Sequence, residues 1–342
     1  MSSSLGRIGY TLAGVAASLS IGSFQAAAQG APNYAGKSLQ FVIAAGVGGG
    51  YDQWGRTIAR HMGRYLPGNP TLVPQNMPAG GGIAASNHLF TTAPRDGTSF
   101  GIITRDSPLA PMMGNTAAKF DPVKLNWLGT PTTEFNVCVA RTAAGFSSHK
   151  DLYEKTLIVG DTGAGTGTHI YPLALNGLFG MKFKLITGFP SSADVFLAIE
   201  RGEVDGICES LDSFREKRPD WVSSGKMKIL LQGGAAPNPD LKDAAFVMDL
   251  AKTAEEKAAV NFLYAGQGIG RPLAAPPDLS PVVLATLRKA FDDTMKDPEF
   301  LADAAKVKLR VQPLDGQHLA DLIEGLTKTP QDIRDKIGKM VN

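Results

Sequence analysis

A short apolar run that stops at a cluster of glycines occurs twice in this chain, and each time a helical pattern follows. Residues 39–45 lead into Gly46-Val47-Gly48-Gly49-Gly50-Tyr51-Asp52, and residues 156–160 lead into Gly163-Ala164-Gly165-Thr166-Gly167-Thr168-His169. The apolar runs read as buried strands. Behind the first turn Asp52 can cap a helix that reaches about Leu66. Trp54, Ile58, Met62 and Tyr65 recur near helical spacing on one of its faces, and Pro67-Gly68 ends it. Behind the second turn residues 169–179 form the helix. A strand, a glycine turn and a helix are the opening half of a βαβ unit, which constrains the chain to an α/β architecture with parallel strands.

The alternation continues between and beyond these two points. Leu72-Val73 begins a strand, residues 78–82 form a further glycine loop, residues 83–92 a helix, and Asp96-Gly97 a turn before a strand at 99–103. Strands follow at 135–140, 183–187 and 204–208. Ser191 or Ser192 caps a helix through Glu200 that Gly202 ends, and a strand starting at Met227 begins the return. The last hundred residues are helix-rich. Ser280-Pro281, Asp297-Pro298 and Thr329-Pro330 each pair an N-cap side chain with proline at the first helical position. The echo of the first pattern after Gly160 predicts two similar lobes. No low-complexity linker separates them, so the crossings are expected to be strands. The expected division is 34–135 plus 229–342 for a discontinuous first lobe and 136–228 for the second.

Residues 1–28 read as a secretory leader. Arg7 precedes the apolar stretch 12–24, and Ala26-Ala27-Ala28 supplies small residues for cleavage before Gln29. The stretch falls short of the roughly 20 residues that span a bilayer. The mature protein is expected in the periplasm, as a monomer. With 34 basic against 32 acidic residues, the formal charge is only +2, which excludes a nucleic-acid partner. Cys138 and Cys208 lie in apolar, strand-like runs. They read as two buried thiols, with a disulfide left open by the oxidising compartment. No histidine stands at ligand spacing from them, so neither a metal nor a cofactor is expected.

The glycine loop from Gly46 to Asp52 carries the chemistry. Free backbone N–H groups and the dipole at a helix start attract an anion, and glycine lets a ligand approach the backbone. A phosphate-binding loop would need a lysine that is absent, and a dinucleotide fingerprint would need glycine where Tyr51 stands. In the other loop Thr166 and Thr168 add hydroxyl donors. Two such loops facing one another would grip an anion from both sides.

From about Tyr34 to the C-terminus the chain resembles the tripartite tricarboxylate transporter receptors, the Bug-type solute-binding proteins. The matching stretches are Gly48-Gly49-Gly50-Tyr51-Asp52 with Arg56, Asn76-Met77-Pro78-Ala79-Gly80-Gly81-Gly82, and Ala93-Pro94-Arg95-Asp96-Gly97-Thr98. Others are the loop from Gly163 to Thr168, Gly202-Glu203-Val204-Asp205, and Arg271-Pro272-Leu273-Ala274-Ala275-Pro276-Pro277. Ala45 and Gly46 stand where the family usually has Phe-Pro, and Met77 replaces a common Arg. The resemblance implies a type II-like periplasmic-binding-protein fold, each lobe a mixed sheet flanked by helices, with the ligand cleft between them. It implies capture of a small organic carboxylate through loop backbone groups, without a dedicated arginine, and delivery to a two-subunit membrane permease.

The candidate ligand-binding residues are Gly48, Gly49, Gly50, Tyr51, Asp52, Gly81, Gly82, Ile83, Thr166, Gly167, Thr168 and His169, together with Asp106, Ser107 and Glu209. Asp106-Ser107 follows a strand end that faces such a cleft, or simply caps a helix. Glu209 either accepts from a distal ligand group or caps the next helix. Trp54 reads first as core, and Arg105 and Arg271 as structural ion pairs. A periplasmic sensor shares this ligand chemistry. A carboxylate-processing enzyme is the weaker alternative: the chain carries no G-x-S-x-G, no HExxH and no Cys–His pair, so no catalytic residue is assigned.

Overall fold

The crossings between two sheets organise this chain. The computed structural model describes residues 32–342, so the expected leader, residues 1–28, lies outside the described residues. The strands are β1 (Ser38–Ile43), β2 (Thr71–Asn76), β3 (Ser99–Ile102), β4 (Asn126–Thr130), β5 (Asn136–Arg141), β6 (Leu157–Gly160), β7 (Phe183–Ile186), β8 (Gly206–Ser210), β9 (Met227–Gly233), β10 (Ala245–Phe246), β11 (Leu273–Ala275) and β12 (Leu314–Asp315). They form two six-stranded sheets, ordered β12-β4-β11-β3-β1-β2 and β10-β9-β5-β8-β6-β7. β1 pairs in parallel with β2 and β3, and β6 with β7 and β8. The crossing strands run against them: β11 is antiparallel to β3 and β4, and β5 to β8 and β9.

The expected edge of the second lobe at residue 228 falls inside β9. That strand pairs with β5 from Met227 opposite Arg141 to Gly233 opposite Asn136, and β10 extends the same sheet to Phe246. The return to the first sheet therefore comes after Phe246, not at Met227. An apolar run does not reveal which sheet it joins; the pairing partner decides.

The first sheet is backed by the helix Gly50–Met62. Its Trp54, Ile58 and Met62 are buried with Leu39, Phe41, Ile43 and Phe100, and Phe41 meets Phe100 edge-on at 5.6 Å. Each such fully buried side chain contributes about 1.5–3 kcal/mol. This burial makes Trp54 a core residue. A second cluster, around Val137, Phe196, Ile199, Phe214 and Trp221, backs the other sheet. A third continues from one half into the other, through Trp127, Ile170, Tyr171 and Tyr264. There the rings of Tyr171 and Tyr264 stack with centroids 4.6 Å apart.

Two of the three expected helix starts hold. Ser280 accepts the N–H of Val283, and Asp297 that of Glu299. Thr329 is no cap: Pro330 has extended backbone, at φ −51° and ψ 141°, so proline itself precedes the helix Gln331–Val341. That helix lies on Gly167–Phe179 of the other half, where Gly177 faces Met340 so closely that a Cβ would sit 2.6 Å from its side chain. Beside it, His169 Nδ1 is 2.7 Å from Asp161 Oδ2 and Nε2 is 3.1 Å from the Val341 carbonyl oxygen. Both partners are acceptors, so both ring nitrogens must donate and the ring is an imidazolium. Burial pushes its pKa down, but the bond and charge of Asp161 and the Val341 carbonyl outweigh that and raise it above the ordinary histidine value.

The two cysteines are bonded. Cys138 on β5 stands directly opposite Cys208 on β8, with Cα atoms 4.0 Å apart, and the bridge is fully buried. A separation of 70 residues makes the constraint on the unfolded chain large, about 4 kcal/mol on the loop-entropy account. The C138A/C208A double variant is expected to melt roughly 5–10 °C lower; an unchanged Tm by calorimetry would refute a stabilising bridge. His169 gives a second expectation. With its folded pKa raised, its stabilisation is full below the unfolded value of about 6.5 and fades as pH rises through the folded value. The Tm gap between wild type and His169→Gln should be widest near pH ~6 and close towards pH ~9. A gap that does not vary with pH would show that the ring carries no charge there.

Candidate functional site

The C-terminal ends of β1, β3, β6 and β8 point into the cleft between the halves, where ligands of open α/β sheets bind. Behind the first glycine turn, the Asp52 carboxylate accepts the N–H of Gly48 at 2.9 Å. It is itself held by Arg56 Nε at 2.8 Å and Asn76 Nδ2 at 2.9 Å. Asn76 also donates to the Ala45 carbonyl. The turn is thus pinned from behind, and Gly49, the N-cap of the helix Gly50–Met62, has no side chain to satisfy the first N–H groups.

The other half repeats this arrangement twice. Thr166 is the N-cap of Gly167–Phe179, yet its hydroxyl bonds Gly163 O and the hydroxyls of Thr162 and Thr168 rather than a helix N–H. Ser191 is the N-cap of Ser192–Arg201, and its hydroxyl turns to Asp194 Oδ2 at 2.7 Å. Three helices of 13, 13 and 10 residues therefore begin at one cleft with no side-chain cap. The Asp106 carboxyl accepts the Gly167 N–H, and the remaining N–H groups at these starts, with the aligned dipoles, favour negative charge.

The halves are closed on each other around this cleft, whose cavity is small, about 40 Å³. Gly46 N–H donates to Pro190 O at 3.2 Å, Gly165 N–H to Gly80 O at 3.1 Å, and Thr104 Oγ1 to Gly165 O at 3.0 Å. Lys217 reaches across to Gln53. Glycine is required where the backbones meet. A Cβ on Gly46 would lie 2.3 Å from Pro190 O, and one on Gly165 2.8 Å from Gly81 O. Glycine at 46 is thereby explained: its backbone is in contact with Pro190 of the opposite half.

Under the helix starts lies an ionic floor. Glu134, in the crossing between β4 and β5, takes Arg105 Nη1 at 2.7 Å on one oxygen and Arg271 Nε on the other. All three are buried, at 3% exposure or less. Burial pushes the Glu134 carboxyl up, but the Arg271 and Arg105 guanidiniums pull it below its usual range. Arg271 also donates to Ser213 Oγ at 2.6 Å and lies over the Tyr51 ring, 4.2 Å from its centroid. Burial drives the Tyr51 hydroxyl up to about 12, against the pull of Arg105 and Arg271, so it stays protonated. Its oxygen accepts the N–H of Arg105 at 2.8 Å. Asp106 accepts from Tyr171 Oη at 2.6 Å, and burial raises its pKa against the opposing effect of Arg105.

Of the residues named from sequence, Gly49, Gly50, Tyr51, Gly81, Asp106, Thr166, Gly167, Thr168 and Glu209 line the cleft. The others stand behind its wall. Gly48 and Asp52 bond one another, so Asp52 braces the turn. It neither lines the cleft nor serves as the N-cap, a position Gly49 holds. Gly82 is the left-handed residue before the helix Ile83–Thr91, and Ile83 is buried. Ser107 bonds Ser86, and His169 bonds Asp161 and Val341. Thr162, Pro190, Ser191, Ser192, Arg105 and Arg271 also line the cleft. In sequence the serines read only as a cap, yet like the glycine loops they stand at a helix start that attracts an anion. The arginines do form the expected ion pairs, but they do so on the cleft floor.

No family model matches the sequence, and no curated protein sequence matches it. Solved structures do. The periplasmic binding protein BugD superposes with a TM-score of 0.70 at 18% identity, over 89% of this chain and 99% of that one. A TctC solute-binding protein from Polaromonas gives 0.59 at 17%, over 90% and 100%. MatC from Rhodopseudomonas palustris, solved with bound malate, gives 0.66 at 17%, over 87% and 98%. At such identities the likeness is one of fold, and the chain has the two-lobed fold of the Bug- and TctC-type periplasmic binding proteins.

Proposed function

We propose that this chain is a periplasmic solute-binding receptor of the tripartite tricarboxylate transporter type. It captures a small organic carboxylate between its halves and delivers it to a two-subunit membrane permease. The observation that carries this reading is the convergence of three uncapped helix N-termini, one from the first half and two from the second, on one closed cleft. An anion there is held by both halves at once, so binding favours closure. The bound malate of MatC, and the adipate in a second R. palustris protein of the same fold at 14% identity and TM-score 0.67, favour a carboxylate over other anions. The lobes that move are 34–135 with the segment after Phe246, against β5 to β10. The crossings near Glu134 and Arg271 act as the hinge. Among the described residues no group of side chains could hold a metal ion, so the reading invokes none.

A ligand present at 100 times its Kd adds about 2.7 kcal/mol to native stability. A thermal-shift screen of di- and tricarboxylates and aromatic acids is expected to raise Tm by several degrees for at least one member. Turnover of a substrate, with no shift from any carboxylate, would overturn the receptor reading. Closure is tested by Gly165→Ala. Residue 165 has no left-handed backbone, and every atom its Cβ would strike belongs to the opposite half, namely Gly80, Gly81 and Ile83. The variant is therefore expected to keep its unliganded Tm within a degree or two and to lose ligand affinity by tenfold or more. Undiminished affinity in calorimetric titration would remove this closed arrangement from the binding reaction.

A further inference from the structure

The cleft floor carries an unequal set of charges. Arg105, Arg271, Asp106 and Glu209 all line the cleft, with Glu134 bound behind them. The partners are unequal too. Glu134 is filled by both guanidiniums, and Asp106 by the Tyr171 hydroxyl. Glu209 is different: one oxygen accepts the N–H of Ser210 at 2.7 Å, and among the described residues the other has no hydrogen bond and the carboxyl no ion pair. Arg105 leaves a donor unmet as well. Its side chain is 3% exposed, and Nε has no hydrogen-bond partner, lying 3.7 Å from Asp106 Oδ2. The floor thus offers an unfilled acceptor and an under-used donor.

Charge limits what can fill them. Two guanidiniums face the carboxyls of Glu134, Asp106 and Glu209, so an ionised second carboxylate would add to an excess of negative charge. An ammonium would satisfy Glu209 but has no acceptor for the unmet Arg105 N–H. A neutral group that both accepts and donates suffers neither penalty. We propose that Glu209, with the Arg105 guanidinium, selects a ligand whose far end is a carboxamide: a short ω-amide of a dicarboxylic acid, its carboxylate at the helix N-termini, its amide N–H on Glu209 and its amide oxygen towards Arg105. This rests on the carboxylate-receptor reading and narrows it. A site whose buried polar groups match one functional group rejects an analogue that leaves them unpaired or opposed.

The choice depends on the charge of Glu209. The groups that face it are Arg105 from the loop after β3, Arg271 before β11, Glu134 in the crossing and the N–H of Ser210. Burial raises its pKa against the pull of the two guanidiniums. On acidification it takes up a proton and becomes a donor, which then suits a second carboxylate.

The experiment is calorimetric titration of succinate, glutarate and adipate, each against its monoamide, at pH ~8 and pH ~5.5, on wild type and Glu209→Gln. At the higher pH the best monoamide is expected to bind at least tenfold more tightly than its diacid. The ratio should shrink at the lower pH, and in Glu209→Gln it should fall to near one or invert. A diacid that binds wild type as tightly as its monoamide at pH ~8 overturns this proposal and leaves the receptor reading intact, as does a ratio that Glu209→Gln does not change. Absence of binding by every acid and amide overturns both. Should the variant fail to fold, the wild-type ratio and its course with pH decide the matter alone.

Discussion

A carboxylate with no exposure to water, held between two guanidiniums from different stretches of chain, fixes the geometry of this protein. Glu134 sits in one crossing, Arg271 in another, and Arg105 at the end of β3. Burying such charges costs several kcal/mol per ion, and only good geometry with further hydrogen bonds offsets it. Those bonds are present: Ser213 on Arg271, the Thr130 hydroxyl on the Arg271 N–H, and the Gln267 carbonyl on the Glu134 N–H. The knot therefore has one low-energy arrangement, and it ties the crossings to the floor of the cleft. An Arg→Lys change here would lose the fork that serves two partners at once, so it would not be conservative.

On the proposed reading, the same knot leaves the anion to backbone groups. Each guanidinium already holds Glu134, and the unmet Arg105 Nε lies beside the Asp106 carboxyl, so a ligand carboxylate there would meet buried, pre-formed pairing. The helix N-termini at Gly50 and Ser192 have no such rival, and the one at Gly167 has only the Asp106 carboxyl. Thr166 and Ser191 turn their hydroxyls to Gly163 and Asp194, where either could have capped its own helix. Each omitted cap forgoes about 1 kcal/mol of helix stability. Three omitted caps at one cleft form a consistent pattern: local stability is withheld where a bound charge can restore it.

Much of this was legible in the sequence where a local rule decides. The strand–glycine–helix units, the buried face of Trp54, Ile58 and Met62, and the caps at Ser280 and Asp297 follow from spacing and side-chain chemistry. What escaped depends on partners distant in sequence. Cys138 and Cys208 become neighbours only through the register of β5 on β8. Met227 begins a strand as expected, but its sheet is set by β5. Thr329 has the composition of a cap and loses the role because Pro330 stays extended. Glu134 has no apolar periodicity or motif around it, so nothing local marks it as the centre of the ionic floor. The cleft shows the same division: Gly49, Thr166 and Asp106 line it, whereas Gly48, Asp52 and His169 stand behind it as bracing residues.

Those bracing residues show how the wall of the cleft is kept rigid without touching its contents. Asp52 fixes the first turn through Gly48, Arg56 and Asn76. Asp161 does the same for the second, taking the Gly163 N–H at 2.7 Å, the Thr168 hydroxyl and His169. In each case a buried carboxylate behind the loop accepts from the loop backbone, so the glycines keep one conformation despite their freedom. The two differ in their counter-charge. Asp52 is neutralised by Arg56, four residues on in its own helix, whereas Asp161 relies on an imidazolium that also grips the carbonyl of Val341. The first loop is therefore braced from within its own lobe. The second is tied to the C-terminal helix, so packing at the end of the chain and the geometry of the second glycine turn share one charged ring.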